Sequence, residues 1–456
     1  MRTRKPSGMF GFTTVWLGQV VSLLGTGMTQ FALTIWAWQV TGRATALALV
    51  GFFGYFPRIV FTPLAGALAD RWNRKALMIA SDLAAGLATI VVFVLYRAEA
   101  LEIWHLYVAA AFSGAFGSFQ FPAYQASISL MLPKEQYTRA NSMLGLAHSI
   151  SSVFAPMAAG ALLAFLGIGG ILTIDIATFT FAVATLCVVA IPQPAARHIA
   201  EAKRRNLFAD CLFGFRYVAA SRSLTGLLLL YFLLNLLLSS SGAVLSPMIL
   251  ARTGNNELAL GTVQMLFGIS GIVGGAIVSI WGGPKRKILA LFTAILTTSL
   301  IGNVLLGVGR GLATWGAGAF MSTLLLPMGN GASHAIWQTK IPPHLQGRVF
   351  SARILIGQIG GAIAIPLAGV LADRAFEPLM GGTSAIARSL APLVGQGPGA
   401  GMGLMFLLFG LLGGAAAIAG FAYRPIRDIE RILPDATSDN NETPSDADSS
   451  AAPGHS

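Results

Sequence analysis

Charged side chains are scarce inside the long apolar stretches of this 456-residue chain, and Arg58, Asp82 and Asp175 are those that could do chemistry there. A charge at the centre of a bilayer costs about 3 kcal/mol or more, so each requires a partner or a water-filled cavity. At 1.5 Å per residue, Arg58 sits roughly 20 Å along its segment, and each aspartate lies about 10 Å from a membrane face. A long arginine stem lets Arg58 reach either carboxylate, which leaves two readings open. The aspartates form a structural ion pair with Arg58, or one of them takes up a proton in one conformation and releases it in another, coupling a conformational cycle to protons. His148 and His334 are weaker candidates for proton carriers, because a lone membrane histidine usually serves packing.

Other chemistries lack their residues. The six histidines are scattered with no H-x-x-x-H pair, and no nucleophile stands beside a base, so a membrane enzyme is disfavoured. A phosphate-cradling G-x-x-x-x-G-K-[ST] is absent, which argues against direct use of ATP. Cys187 and Cys211 match neither a disulfide framework nor a metal site, and no metal or cofactor is expected. No basic groove with interleaved aromatics is present, so nucleic acid is not an expected partner.

The elements that must carry these residues are membrane helices. The chain is 55% hydrophobic and 11% charged, with a mean hydropathy of +0.70, outside the range of a soluble domain. About 20 apolar residues span a bilayer. Twelve such stretches fall at roughly 10–40, 45–69, 76–96, 102–132, 141–166, 168–191, 223–250, 258–281, 287–308, 312–339, 347–371 and 401–423. The first is too long for a signal peptide and reads as a retained helix. Of the 30 Lys and Arg, 23 fall on one set of connecting segments and 6 on the other, with Arg58 left inside a helix. The positive-inside rule then puts both termini in the cytoplasm and the loop after Asp373 outside.

The chain divides into a six-helix bundle over 1–191, a cytoplasmic connector over 192–222 with an amphipathic helix marked by Phe208, Cys211, Leu212 and Phe215, a second bundle over 223–423, and a disordered cytoplasmic tail over 424–456. Pro133, Arg139 and Ser142 recur as Pro342, Arg348 and Ser351; Arg74-Lys75 recurs as Arg286-Lys287; Pro156 matches Pro366. All three matches fall at nearly one offset, as a duplication would leave them.

Between the second and third stretches runs Gly66-Ala67-Leu68-Ala69-Asp70-Arg71-Trp72-Asn73-Arg74-Lys75. It resembles the G-x-x-x-D-R-x-x-R-K signature of the major facilitator superfamily. The resemblance implies an all-α membrane protein with twelve transmembrane helices in two pseudo-symmetric six-helix bundles. It also implies a gating role for Gly66, Asp70, Arg71, Arg74 and Lys75, latching the cytoplasmic ends of helices 2 and 11. In the second half Gly282 replaces the aspartate, so a latch there would be weaker. The runs LPKEQYTRANSM, ILTIDIATFTF and PLAGVLADRAFEPLM narrow the resemblance to the third drug:proton antiporter family, whose members include macrolide-efflux and enterobactin-exporter proteins. Helix 5 departs from the glycine-rich antiporter pattern, carrying Ser151, Ser152, Ala155, Pro156 and Gly160.

In that superfamily helices 1, 4, 7 and 10 line a central cavity. Here they offer Gln19, Ser22, Thr26 and Gln30; Gln120 and Tyr124; Asn235 and Ser239; and Asn330, His334 and Gln338. None of these stripes contains a carboxylate or a fixed base, which suits a bulky, mostly apolar small molecule with a few hydrogen-bonding groups. The expectation is a monomeric exporter of a lipophilic drug, macrolide or siderophore-like compound, in the cell membrane, exchanging it for protons. A lipid flippase, an uptake carrier or facilitator of the same fold, and a non-transporting sensor are the alternatives.

Overall fold

The computed structural model describes residues 8–71, 73–133, 136–191, 207–281, 283–382 and 385–435, and these are almost wholly helical. The first half contains α1 (Gly8–Thr41), α2 (Ala44–Arg71), α3 (Arg74–Arg97), α4 (Ile103–Met131) and α5 (Tyr137–Val188). A short helix α6 (Leu207–Ala219) precedes α7 (Arg222–Thr253), α8 (Glu257–Trp281), α9 (Lys287–Val308, with a π-turn at Thr297–Asn303), α10 (Leu312–Leu324), α11 (Leu326–Lys340) and α12 (Pro343–Leu371). A π-turn at Ala372–Phe376 carries α12 into α13 (Glu377–Gly381); α14 (Ala385–Val394) and α15 (Ala400–Ala422) follow.

Among the described residues, nine helical segments are long and apolar enough to cross a membrane. One of them, α5, would measure about 78 Å as a straight helix, more than twice a hydrocarbon core. Gly167 breaks it, with φ 61° and ψ −178°, a conformation essentially reserved for glycine. The chain reverses there, and the second part of α5 returns against α1. Gly167→Ala should therefore cost about 1–3 kcal/mol, measured as a fall in the thermal unfolding midpoint in detergent. An unchanged midpoint would mean that the turn accommodates a side chain.

Within the first half, α1 packs on α5, and α4 lies between α2 and α3; within the second, α7 packs on α12 and α15, α8 on α10, and α9 on α11. The halves meet through α5 with α8 and α2 with α12. The buried core shows where they meet. At the face away from the termini one apolar cluster joins both halves, including Phe31, Ile35, Ile171 and Leu172 with Met248, Ile249, Leu260 and Trp315. At the terminal face the core separates into one cluster around Phe12, Met78 and Leu186 and another around Leu227, Trp337 and Val349. One face is sealed across the halves and the other is split.

Three expectations change here. The segment after Asp373 is largely helical rather than loop, since Glu377 caps the next long helix from within it through Gly399 N (3.0 Å) and Met402 N (2.9 Å). The tail begins folded: Ile426 and Ile429 are buried, and Lys340 Nζ donates to Glu430 O (2.8 Å), Leu433 O (2.5 Å) and Asp435 Oδ1 (2.8 Å). The Lys340 ammonium holds the Asp435 carboxyl below the usual carboxylate range. That contact is therefore present at neutral pH and lost as the pH falls through the lowered value; with Asp435 largely solvated its contribution is small. Residues 436–456 lie outside the described residues. Finally, Arg353, counted above among the loop charges, is 4% exposed inside α12.

Candidate functional site

Two glycines seven residues apart on α1, Gly18 and Gly25, let the second part of α5 approach closely. A Cβ on Gly18 would strike Thr185, and one on Gly25 would lie 3.1 Å from Asp175 Cα. This small-residue contact is the usual means of close helix packing in lipid. It leaves Asp175, 2% exposed, facing a polar edge of α1. Thr26 Oγ1 donates to Asp175 Oδ1 (3.1 Å) and Thr89 Oγ1, from α3, to Oδ2 (3.0 Å). Thr29, one turn beyond Thr26, also lies beside this carboxylate, with its buried hydroxyl outside hydrogen-bonding geometry to any partner. Three hydroxyls from two helices thus surround one carboxylate.

The other end of the same α1 edge meets the second carboxylate. Gln19 Nε2 donates to Asp82 Oδ2 (2.9 Å), and Gln120 Nε2 lies 2.5 Å from Asp82 Oδ1 and 2.7 Å from Gln19 Oε1. Gln19 and Asp82 are each 5% exposed. Neither aspartate pairs with Arg58, which corrects the ion-pair reading. Arg58 is exposed, and its charge acts instead on Tyr55 of its own helix and on His148 in the first part of α5.

The polar stripes are also redistributed. Gln19 and Gln120 serve a carboxylate from α3, so the stripes of helices 1 and 4 are not free of charge as expected. Tyr124 is buried against Phe12, with ring centroids 5.9 Å apart and its hydroxyl unpartnered. Asn235 returns its amide to Tyr231 O of its own helix (2.8 Å). Ser239 is half-buried beside Gly361 of α12. Gln30 on α1 and Asn330, His334 and Gln338 on α11 are exposed, the last three at four-residue spacing along one face.

Of the signature residues, Arg74 opens α3 and is buried, after Asn73 caps that helix through Ala76 N (3.0 Å). Lys75 Nζ donates to Cys187 O (3.0 Å) and Val189 O (2.7 Å), capping the end of α5. For Gly66, Asp70 and Arg71 the side chains lie outside the described residues.

One site was not legible in sequence. Arg353 Nη2 donates to Ser333 Oγ (2.9 Å), and its guanidinium lies over Tyr231 (4.6 Å) and Trp337 (5.4 Å). Its Nε and the Trp337 Nε1 have no acceptor. Aromatic faces replace the missing acid partner. Asp82 and Asp175 in the first half and Arg353 in the second are thus buried charges held by neutral groups. Its only signal in sequence was a charge placed eleven residues into an α12 that starts earlier than the apolar run.

A helical membrane protein with two halves, joined at one face and parted at the other, is the architecture of a transporter. The Major Facilitator Superfamily model matches residues 15–365, and the chain belongs to that family. It is 26% identical over 365 residues to macrolide efflux protein A of Streptococcus pyogenes, covering 80% of this chain and 89% of the relative. It is 26% identical to the multidrug efflux pump Tap of Mycolicibacterium fortuitum, over 77% of this chain and 86% of that protein. With the enterobactin exporter EntS of Escherichia coli O1:K1 / APEC it shares 25% identity, over 79% and 85%. Among solved structures, a bacterial homologue of the lysosomal transporter spinster, inward-facing and unoccupied, superposes with a TM-score of 0.64 at 13% identity, over 92% of this chain and 98% of that one. A bacterial homologue of ferroportin, also inward-facing, gives 0.61 at 19%, over 90% and 98%. These two support the fold.

Proposed function

We propose that this family member is a secondary active exporter of a small lipophilic compound, driven by proton antiport through alternating access. The observation that carries the reading is the one-sided closure: a core shared by both halves at one face and divided between them at the other, as a carrier caught open to one side requires. Dividing α5 at Gly167 and adding α4 and the α10–α11 pair to the apolar segments yields twelve crossings. The loop charges support a split face that opens to the cytoplasm, in the plasma membrane. The names of the three relatives support export.

Asp175 is the preferred coupling group. Its cage is made of hydroxyls, each able to donate to an ionised carboxylate or accept from a protonated one. The Asp82 oxygens each face an amide NH2, which can only donate, so Asp82 reads as a structural acid that fixes Gln19 and Gln120. The exposed polar groups Gln30, Asn330 and His334, with apolar neighbours, suit a ligand that is mainly hydrophobic.

Cells expressing the protein should accumulate less of a lipophilic dye or macrolide than control cells, and a protonophore should erase the difference. Asp70→Asn should abolish the difference at unchanged membrane abundance. Full export by that variant would dispose of the inner latch, and a difference that survives the protonophore would dispose of proton coupling.

A further inference from the structure

Two stretches of this chain are the same nine residues with one exception: Pro63-Leu64-Ala65-Gly66-Ala67-Leu68-Ala69-Asp70-Arg71 and Pro366-Leu367-Ala368-Gly369-Val370-Leu371-Ala372-Asp373-Arg374. The match does not follow the offset that relates the two halves. The first copy ends α2, and the second closes α12 and enters its π-turn. These helices pack against each other across the two halves. Gly369 meets Thr45, Ile365 meets Gly51 and Gly361 meets Tyr55, so the pair is antiparallel and the two copies lie at opposite faces.

The second copy is docked. A Cβ on Gly369 would stand 2.6 Å from Ala48 Cβ and 2.9 Å from Thr45 Cα, so only glycine admits α2 at this distance. One turn on, Asp373 accepts from Ala44 N (2.9 Å), Thr45 N (2.8 Å) and Thr45 Oγ1 (2.6 Å). A carboxylate from one half thus caps free amides and the positive end of a helix in the other. The register of the pair, continued toward the split face, sets position 70 opposite Gln346, in the first turn of α12. The first copy stands to α12 as the second stands to α2.

We infer that Asp373, with Gly369 and Thr45, is the latch of the outer gate, an inverted counterpart of the Asp70 run at the inner face. The second copy docks on the first turn of α2 when the outer face is shut, and the first copy docks on the first turn of α12 when the inner face is shut. Each must let go before the other engages, because rigid helices that close at one end diverge at the other. The inference rests on the alternating-access reading above, but its test needs no substrate and no gradient, so either can fail while the other stands.

The test is a distance measurement between spin labels at Ala100→Cys and Ala313→Cys, exposed positions at the sealed face in opposite halves, in a chain with Cys187 and Cys211 changed to serine. A helix-capping acid contributes on the order of a tenfold shift in a two-state balance. Asp373→Ala should raise the long-distance population roughly tenfold, Asp70→Ala should lower it, and the double variant should return toward the parent. Thr45→Val, which removes one of the three bonds and leaves the acid in place, should move the distribution the same way as Asp373→Ala by a smaller amount, and it carries the test if Asp373→Ala does not yield monodisperse protein. An unchanged distribution in Asp373→Ala or, failing that variant, in Thr45→Val, or shifts of the same sign at Asp70 and Asp373, would overturn the latch.

Discussion

Asp175→Asn is expected to abolish uphill export while leaving downhill exchange of substrate intact. The substitution keeps the shape of the side chain and removes its ability to exchange a proton. One proton moving down a gradient of one pH unit carries about 1.4 kcal/mol, and about 2.3 kcal/mol more for each 100 mV of membrane potential. An electrogenic one-for-one exchanger of a neutral compound is thereby able to hold a concentration ratio of several hundred, and the variant should hold a ratio near one. Reconstituted vesicles with an imposed gradient give the ratio, and counterflow of labelled substrate in the same vesicles shows whether the carrier still turns over. Asp82→Asn, whose cage supplies donors only, should retain a gradient-dependent ratio. If Asp175→Asn still builds a gradient that a protonophore collapses, the coupling group is elsewhere.

Arg252→Met should give the largest loss of stability. The side chain ends α7 at the sealed face, and its planar fork gathers backbone carbonyls from three separate segments: Nε to Gly399 O (3.1 Å), Nη1 to Gly309 O (2.5 Å) and Gly307 O (3.4 Å), and Nη2 to Val394 O (2.8 Å). Gly403 lies so close that any side chain there would strike the guanidinium. Methionine fills much of the volume but donates nothing: Gly309 O keeps Trp315 Nε1 (3.0 Å) and Gly399 O keeps Gly403 N (3.0 Å), whereas Gly307 O and Val394 O lose the arginine donor, each at a cost of about 1–3 kcal/mol where water cannot reach. A total near 3 kcal/mol is expected for the half-buried site. Lysine should rescue little, since a single ammonium cannot reproduce the fork. Thermal unfolding in detergent measures it, and a change below about 0.5 kcal/mol would show that water replaces the arginine.

The fold was largely legible because lipid constrains sequence so strongly. A chain that crosses a bilayer must bury its backbone polar groups in helices, so the apolar stretches, the loop arginines and the signature from Gly66 to Lys75 together identified the family. Gly167, at the turn between two apolar runs, shows the same logic at a single residue. The site was less legible, since a helical stripe says which residues share a face but not what that face meets. Gln19 and Thr26 stand on one stripe of α1 as candidate ligand contacts, yet each binds a different buried aspartate. Arg58, the expected partner of those acids, is exposed and pairs with neither, and Arg353, counted with the loops, sits between two aromatic rings.

Taken alone, the amino-acid order determined that this is a helical membrane protein of two related halves, because hydrophobic length and charge placement are local properties that every crossing must satisfy. Which face is sealed, which side chains enclose each buried acid and whether Asp373 reaches α2 were decided only by tertiary packing. Those contacts join residues from 38 to 329 positions apart, and they depend on the angle and register at which helices meet, quantities that no single segment contains.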